Sequence, residues 1–308
     1  MFSFVGCSAI IKFTMNKSKK FLKEIAAENK NVMKNISIPS TVRMKYNESN
    51  IIRCPATDET KVFFLETTTC NCVRYIVENK ISEHIFAHSF ASDMNPGGGY
   101  QNGAKAQEEF ICYQTPGLFP SISNKKYPLE PCTVLITPGL KIMRDDENYE
   151  LLPEEKFVEY GVVSAAAQNL NRHGSTYDDR LTKKTLANIF CSVKLCYSKT
   201  DTLILGAMGC GVFANDPYVI ANEIKDAVQK FGGYYKNIFI AIPNGPNVKE
   251  FKEVFGFLSE SDDENDESDD QDVELQRFEE ESAKKGRSKK SDRKKESARK
   301  HGVLPTDD

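Results

Sequence analysis

The chain has 308 residues, nine cysteines, 40% hydrophobic residues and a formal net charge of -3. That suits one large or two small domains with a buried core. No run of about eighteen apolar residues occurs, which excludes a membrane-spanning helix, and the odd, scattered cysteine set argues against a disulfide framework.

The first residues, Met1 to Phe13, are mildly apolar, but Lys12 interrupts them and no basic n-region precedes them. They do not read as a signal peptide. Residues 1–15 read as an N-terminal extension, with Met15 as an alternative start. A domain follows over 16–258. Its predicted strands are Lys61–Glu66, Ile85–Ser89, Thr133–Thr137, Thr202–Leu205 and Ile238–Ile242. Its predicted helices are Lys19–Asn29, Cys70–Asn79, Lys105–Gln114, Glu155–Asn171, Asp179–Tyr197, Pro217–Phe231 and Val248–Leu258. Several strands are continuous apolar runs, as strands covered on both faces require. Alternation of such strands with helices predicts an α/β sandwich. After Leu258 the composition changes to an acidic block, then a basic one from Lys284 to Lys300. Such blocks do not bury enough apolar surface to offset the entropy of ordering, so 259–308 reads as a disordered tail, with a short helix weighed for Val273 to Glu281. The basic block suits nuclear import, contact with a nucleic acid or another polyanion, or solubility alone.

The cysteines read as reduced thiols, which places the chain in an intracellular compartment, nuclear or cytoplasmic. Cys70-x-Cys72 lacks the two-residue spacing of a zinc knuckle, and the four histidines form no H-E-x-x-H, so no metal site is predicted.

Two loops carry the chemistry. The first runs Phe90-Ala-Ser-Asp-Met-Asn-Pro-Gly-Gly-Gly-Tyr100 and leads into a helix that opens with Gln107-Glu108-Glu109. Three successive glycines let a backbone approach a ligand closely. A helix start with free N–H groups suits an anion. The second runs from Leu203 through Gly206-Ala-Met-Gly-Cys-Gly-Val-Phe-Ala214 to Pro217, with Asn215 or Asp216 as helix cap. Its G-x-G-x-x-A spacing resembles a dinucleotide fingerprint. The following strand, Ile238 to Asn244, lacks the acid that would hold a ribose. The two loops together predict one diphosphate pocket at the C-terminal edge of a sheet, with the acids acting on a nearby bond. Tyr100, Tyr113 and Tyr218 are candidates to stack on a base, and Asn244 is a candidate ligand contact. His173 is expected on a solvated loop after a helix.

Gly97-Gly98-Gly99, seven residues and Gln107-Glu108-Glu109 resemble the signature of poly(ADP-ribose) glycohydrolases. Phe90-Ala91-Ser92, Asn95-Pro96 and Leu205 through Phe213 resemble their microbial-type branch. Where that family often has tryptophan, this chain has Met208. The resemblance extends over about 20–256 and implies a macrodomain-like three-layer α/β/α sandwich with a mixed central sheet and extra N-terminal helices. It implies exo-type hydrolysis of ribose–ribose O-glycosidic bonds, releasing ADP-ribose, without metal or organic cofactor. Glu109 would be the general acid/base and Glu108 would hold a ribose hydroxyl. Asn95 would bond the ribose at the scissile link. Gly97, Gly98 and Gly99 would pass close to that ribose and the phosphates, with Gln107 beside them. Gly209, Cys210, Gly211, Val212 and Phe213 would wrap the diphosphate. The expected partners are poly(ADP-ribose), ADP-ribose and ADP-ribosylated proteins, with no membrane contact. A mono(ADP-ribosyl)-protein hydrolase and a non-catalytic ADP-ribose-binding macrodomain remain the alternatives.

Overall fold

A computed structural model describes residues 3–6, 17–125 and 127–257. The tail read as disordered, including the helix weighed at Val273 to Glu281, lies outside these residues.

The described chain forms an eight-stranded sheet. Its strands are β1 (Ser3–Gly6), β2 (Val42–Lys45), β3 (Lys61–Leu65), β4 (Ile85–Phe90), β5 (Thr133–Ile142), β6 (Val158–Ala165), β7 (Thr202–Leu205) and β8 (Asn237–Ala241), in the spatial order β1-β3-β8-β7-β4-β6-β5-β2. The run from β1 to β6 is parallel, while β5 and β2 pair antiparallel, so the sheet is mixed. The first residues, read as an extension, thus contribute the outermost strand.

Seven helices cover the sheet: α1 (Lys19–Val32), α2 (Thr69–Glu78), α3 (Gln107–Gln114), α4 (Leu118–Ser123), α5 (Asp179–Cys196), α6 (Pro217–Phe231) and α7 (Val248–Phe255). Strand side chains alternate between faces. Leu203 and Leu205 therefore join a core with Leu186, Phe190, Ile220, Ile224 and Phe251 of α5, α6 and α7. Ile204 between them joins the opposite core, with Leu22, Val73, Ile111 and Leu118 of α1 to α4. Two separate cores on one sheet make the three-layer sandwich that the sequence predicts. The N-terminal addition is α1 with a short 3-10 turn, Met33–Asn35.

The helix starts follow local chemistry. Ser18, Thr68, Asp178 and Asp216 each accept a backbone N–H as N-caps of α1, α2, α5 and α6, and Pro217 occupies the first turn of α6. Gly256, at φ +74°, closes α7. None of the described helices is long and apolar enough to cross a membrane.

One predicted element is wrong. Glu155–Asn171 is not a helix: a 3-10 turn at Glu154–Lys156 leads into strand β6, and 166–178 is a loop. The Ala165-Ala166-Ala167 run favours a helix, but Val158, Tyr160, Val162 and Val163 favour a strand, and burial between β4 and β5 decides. Gly161 marks this burial, because a Cβ there would stand 2.3 Å from the ring of Phe86, its partner across the ladder. His173 consequently lies on an exposed loop that follows a strand. Three short elements, β1, β2 and α4, go unread in the sequence.

Candidate active site

Strands β7, β4 and β6 are neighbours, and the loops leaving their C-terminal ends meet at one edge of the sheet. Both glycine-rich loops are among them.

The first loop, 91–106, is held by the helix that follows it. Gln107 accepts the N–H of Phe90 at 2.8 Å and donates to the carbonyl of His88 at 2.8 Å and to Thr69 at 2.9 Å. Glu108 accepts the N–H of Ser92 on Oε2 at 2.7 Å and that of Gly97 on Oε1 at 3.1 Å. Glu109 accepts Gly99 N–H on Oε1 at 2.7 Å and Ala106 N–H on Oε2 at 3.0 Å. This last bond is the return half of a capping box whose N-cap is alanine. The three consecutive side chains clamp the loop's backbone, so the anion lodged at this helix start is the protein's own.

The clamp explains the glycines. Gly97 and Gly98 sit at φ +66° and +55°. A Cβ on Gly98 would stand 2.4 Å from Glu109 Oε1 and 3.2 Å from Glu108 Oε2. One on Gly99 would stand 2.6 Å from the Ala104 methyl. The two acids therefore flank one bare Cα. Both are buried, Glu108 at 2% exposure and Glu109 at 6%. Burial pushes Glu108 up to about 8 against the pull of the Ser92 amide, the Glu109 charge adds to the rise, and the Gly97 amide opposes it.

Asn95 lies exposed at the mouth, where among the described residues only its backbone is engaged: its N–H bonds Ser92 Oγ at 3.2 Å and its carbonyl accepts Gly98 N–H at 3.1 Å. Tyr100 and Tyr113 are buried, and Tyr113 donates to the carbonyls of Tyr100 and Ala104 at 3.0 Å. They brace the loop from below rather than offering a stacking face. Tyr218 is half exposed beside the second loop, and Asn244 is exposed beyond β8.

The second loop, 206–216, has another architecture. Gly206 lacks a Cβ where one would meet the Ala241 carbonyl at 2.6 Å and the Phe90 ring at 3.0 Å, so the two loops approach closely here. Gly209, at φ +76°, leaves room for Ala167 and Asn215. The buried Asn215 donates to the carbonyls of Gln168 at 2.8 Å and Gly209 at 3.2 Å, while Asp216 caps α6. Among the described residues, the N–H groups of Gly211, Val212 and Phe213 meet no acceptor. Val212 is 70% exposed, Phe213 and Cys210 are half-buried, and Met208 is buried beneath them. Successive free amides of this kind suit an anion. Burial pushes the Cys210 thiol up to about 12, so it is not a thiolate nucleophile.

The loop 166–178 joins the two. Leu170 N–H donates to the Phe213 carbonyl at 3.0 Å, Asn171 donates to that of Val212, and Arg172 pairs with Asp93 at 2.7 Å. The misread helix concealed this segment, for which Arg172 and Asn171 give no sequence signal of their own. Among the described residues, no three His, Cys, Asp or Glu side chains gather to hold a metal.

The fold and site define a macrodomain-type α/β protein with a clamped carboxylate pair beside an amide-lined loop. Residues 12–130 match the family model of the microbial-type PARG catalytic domain, a segment that contains the glycine loop and both glutamates. This bears out the likeness to microbial-type poly(ADP-ribose) glycohydrolases seen in the sequence and supports that activity. Among solved structures, the poly(ADP-ribose) glycohydrolase of Thermomonospora curvata bound to the inhibitor ADP-HPD is similar over 75% of this chain and 98% of its own, at 22% identity and a TM-score of 0.63. A second structure of the same enzyme gives a TM-score of 0.65, at 22% identity over 76% of this chain and 98% of its own. That of Deinococcus radiodurans in complex with ADP-ribose is similar over 76% of this chain and 98% of its own, at 23% identity and a TM-score of 0.59. At these identities the structural likeness carries the fold. No curated protein sequence matches the chain.

Proposed function

We propose that this chain hydrolyses the ribose–ribose O-glycosidic bond of poly(ADP-ribose) from the end of the polymer and releases ADP-ribose. The observation that carries this reading is the pair of adjacent buried glutamates, clamped to a glycine loop and set one strand away from a loop of unengaged amides. Free amides at 211–213 suit the diphosphate, with Phe213 and Cys210 walling it and Gly209 shaping the turn. Asn95, with its carboxamide free, suits a ribose hydroxyl at the scissile bond.

The leaving ribose oxygen needs a proton, because the bond breaks through an oxocarbenium-like transition state. Glu109 donates that proton and then draws one from the attacking water. Its oxygens each accept one backbone N–H, and a carboxylate has about four lone-pair sites, so each keeps one for the substrate. Glu108 brings a second carboxyl, pushed up by burial, against the same Cα, and holds a ribose hydroxyl. Gln107 fixes the frame that both depend on.

ADP-ribosylated proteins are the natural carriers of such a polymer. An intracellular location, nuclear or cytoplasmic, fits reduced cysteines, and the basic block from Lys284 to Lys300 suits nuclear import or a polyanion contact. The test is purified chain on labelled, automodified poly(ADP-ribose), wild type against Glu109→Gln. Release of ADP-ribose by wild type alone supports the reading. Binding of ADP-ribose with the polymer left intact refutes it in favour of a reader or a mono(ADP-ribosyl)-protein hydrolase. Oligomers as first products refute the exo mode.

A further inference from the structure

The 166–178 loop carries a cation to the mouth of the site. Arg172 Nη2 stands 2.7 Å from Asp93 Oδ2 and 2.9 Å from Asp93 Oδ1. Asp93 follows Ser92, whose amide holds Glu108, while the residues just before Arg172 hold the carbonyls of Val212 and Phe213. One guanidinium therefore stands between the carboxylate pair and the free amides. Its side chain is 47% exposed, against 19% for Asp93. Nε and Nη1 have no partner among the described residues.

The guanidinium stays open to solvent, where an ion pair is weak, so exchanging its carboxylate for another anion costs little. A phosphate presents the oxygens that a guanidinium fork binds two at a time. Every unit of the proposed substrate carries two phosphates, and the acids around Asp93 supply no counter-charge to them.

We propose that Arg172 is a substrate-phosphate ligand that leaves Asp93 for a phosphate of the ADP-ribose chain. The inference rests on the poly(ADP-ribose) reading of the site. In the free protein Asp93 holds the guanidinium in place; on binding, the phosphate takes over. The phosphate belongs either to the unit being released or to the next unit of the polymer.

The test compares full-length wild type, Arg172→Ala, Arg172→Gln and Asp93→Asn. It measures Kd for ADP-ribose by calorimetry, and KM and kcat on labelled polymer at low and moderate salt, with melting curves to confirm folding. Both Arg172 variants are expected to raise the polymer KM about tenfold with kcat little changed, and to flatten its salt dependence. Asp93→Asn is expected to leave KM unchanged or lower it, because the guanidinium is set free. A parallel loss of ADP-ribose affinity assigns the phosphate to the released unit; a loss confined to polymer assigns it to the next unit. The proposal is overturned if the Arg172 variants match wild type, or if Asp93→Asn reproduces their loss, since the pair is then only a strap. Should wild type bind ADP-ribose but cleave no polymer, the function reading fails by itself. The Arg172 variants must then still weaken binding of ADP-ribose or of the intact polymer, or this proposal fails too.

Discussion

The two glycine-rich loops look alike in sequence and differ in what their amides do. In the first, the N–H groups of Ser92, Gly97, Gly99 and Ala106 are all bound to Glu108 or Glu109. In the second, those of Gly211, Val212 and Phe213 meet no acceptor among the described residues, and Asn215 organises the turn from the side. Glycine in the first loop makes room for carboxylates. In the second it makes room for Ala167 and Asn215 and leaves donors facing outward. The same residue type thus serves an acid site and an anion site at the ends of two neighbouring strands, β4 and β7.

The sharpest way to test this contrast is Glu109→Gln, which is expected to lower kcat on polymer by about 10²–10⁴-fold while ADP-ribose binding persists. Next comes Gly98→Ala. Its Cβ enters both carboxylates at a positive φ, and displacement of the acids by a fraction of an ångström is expected to cost about 10²-fold in kcat with the circular dichroism spectrum retained. The second loop answers differently. Gly209→Ala strains the backbone by about 1–3 kcal/mol and crowds Asn215, so it is expected to weaken ADP-ribose binding more than it slows hydrolysis of saturating polymer. Gly211→Ala, with open space and no positive φ, is expected to change melting behaviour by less than about 0.5 kcal/mol and to bind as wild type.

Acidity gives a further handle. The Glu108 carboxyl rises from 4.5 to about 8 on folding, so the folded state binds the proton more tightly than the unfolded one. Its contribution is fully present below about pH 4.5 and is lost as pH rises through about 8. Melting curves of wild type are expected to fall relative to Glu108→Gln between those limits. A parallel pair of curves would show that the carboxyl is not buried as described.

The chemistry of the site was legible where it is local. Gly97 to Gly99 and Gln107 to Glu109 lie within one loop and one helix turn, and their order carries the information. The strands Ile85–Phe90 and Thr202–Leu205 read directly, because apolar runs with flanking loops leave little choice. What stayed hidden depends on distant partners. Asn215 reads as a possible helix cap, yet its carboxamide serves the Gln168 and Gly209 carbonyls while Asp216 caps α6. Arg172 gives no signal in the sequence and meets Asp93 only across the folded site. Strand β6 was masked by the Ala165-Ala166-Ala167 run at its end, since its strand character comes from burial between neighbours far away in sequence. Tyr100 and Tyr113 look like ligand-stacking rings until packing turns them inward.

The clamp has a consequence for how the acids can be studied. Each oxygen of Glu109 receives a backbone N–H from a different residue. A glutamine offers one oxygen and one NH₂ group, so it can satisfy one of those donors and must point hydrogen at the other. The usual isosteric trap is therefore not silent here: it withdraws a proton donor and loosens the loop in a single step. Rates measured on such a variant therefore sum two losses. Chemistry and architecture share one side chain, and no single substitution separates them.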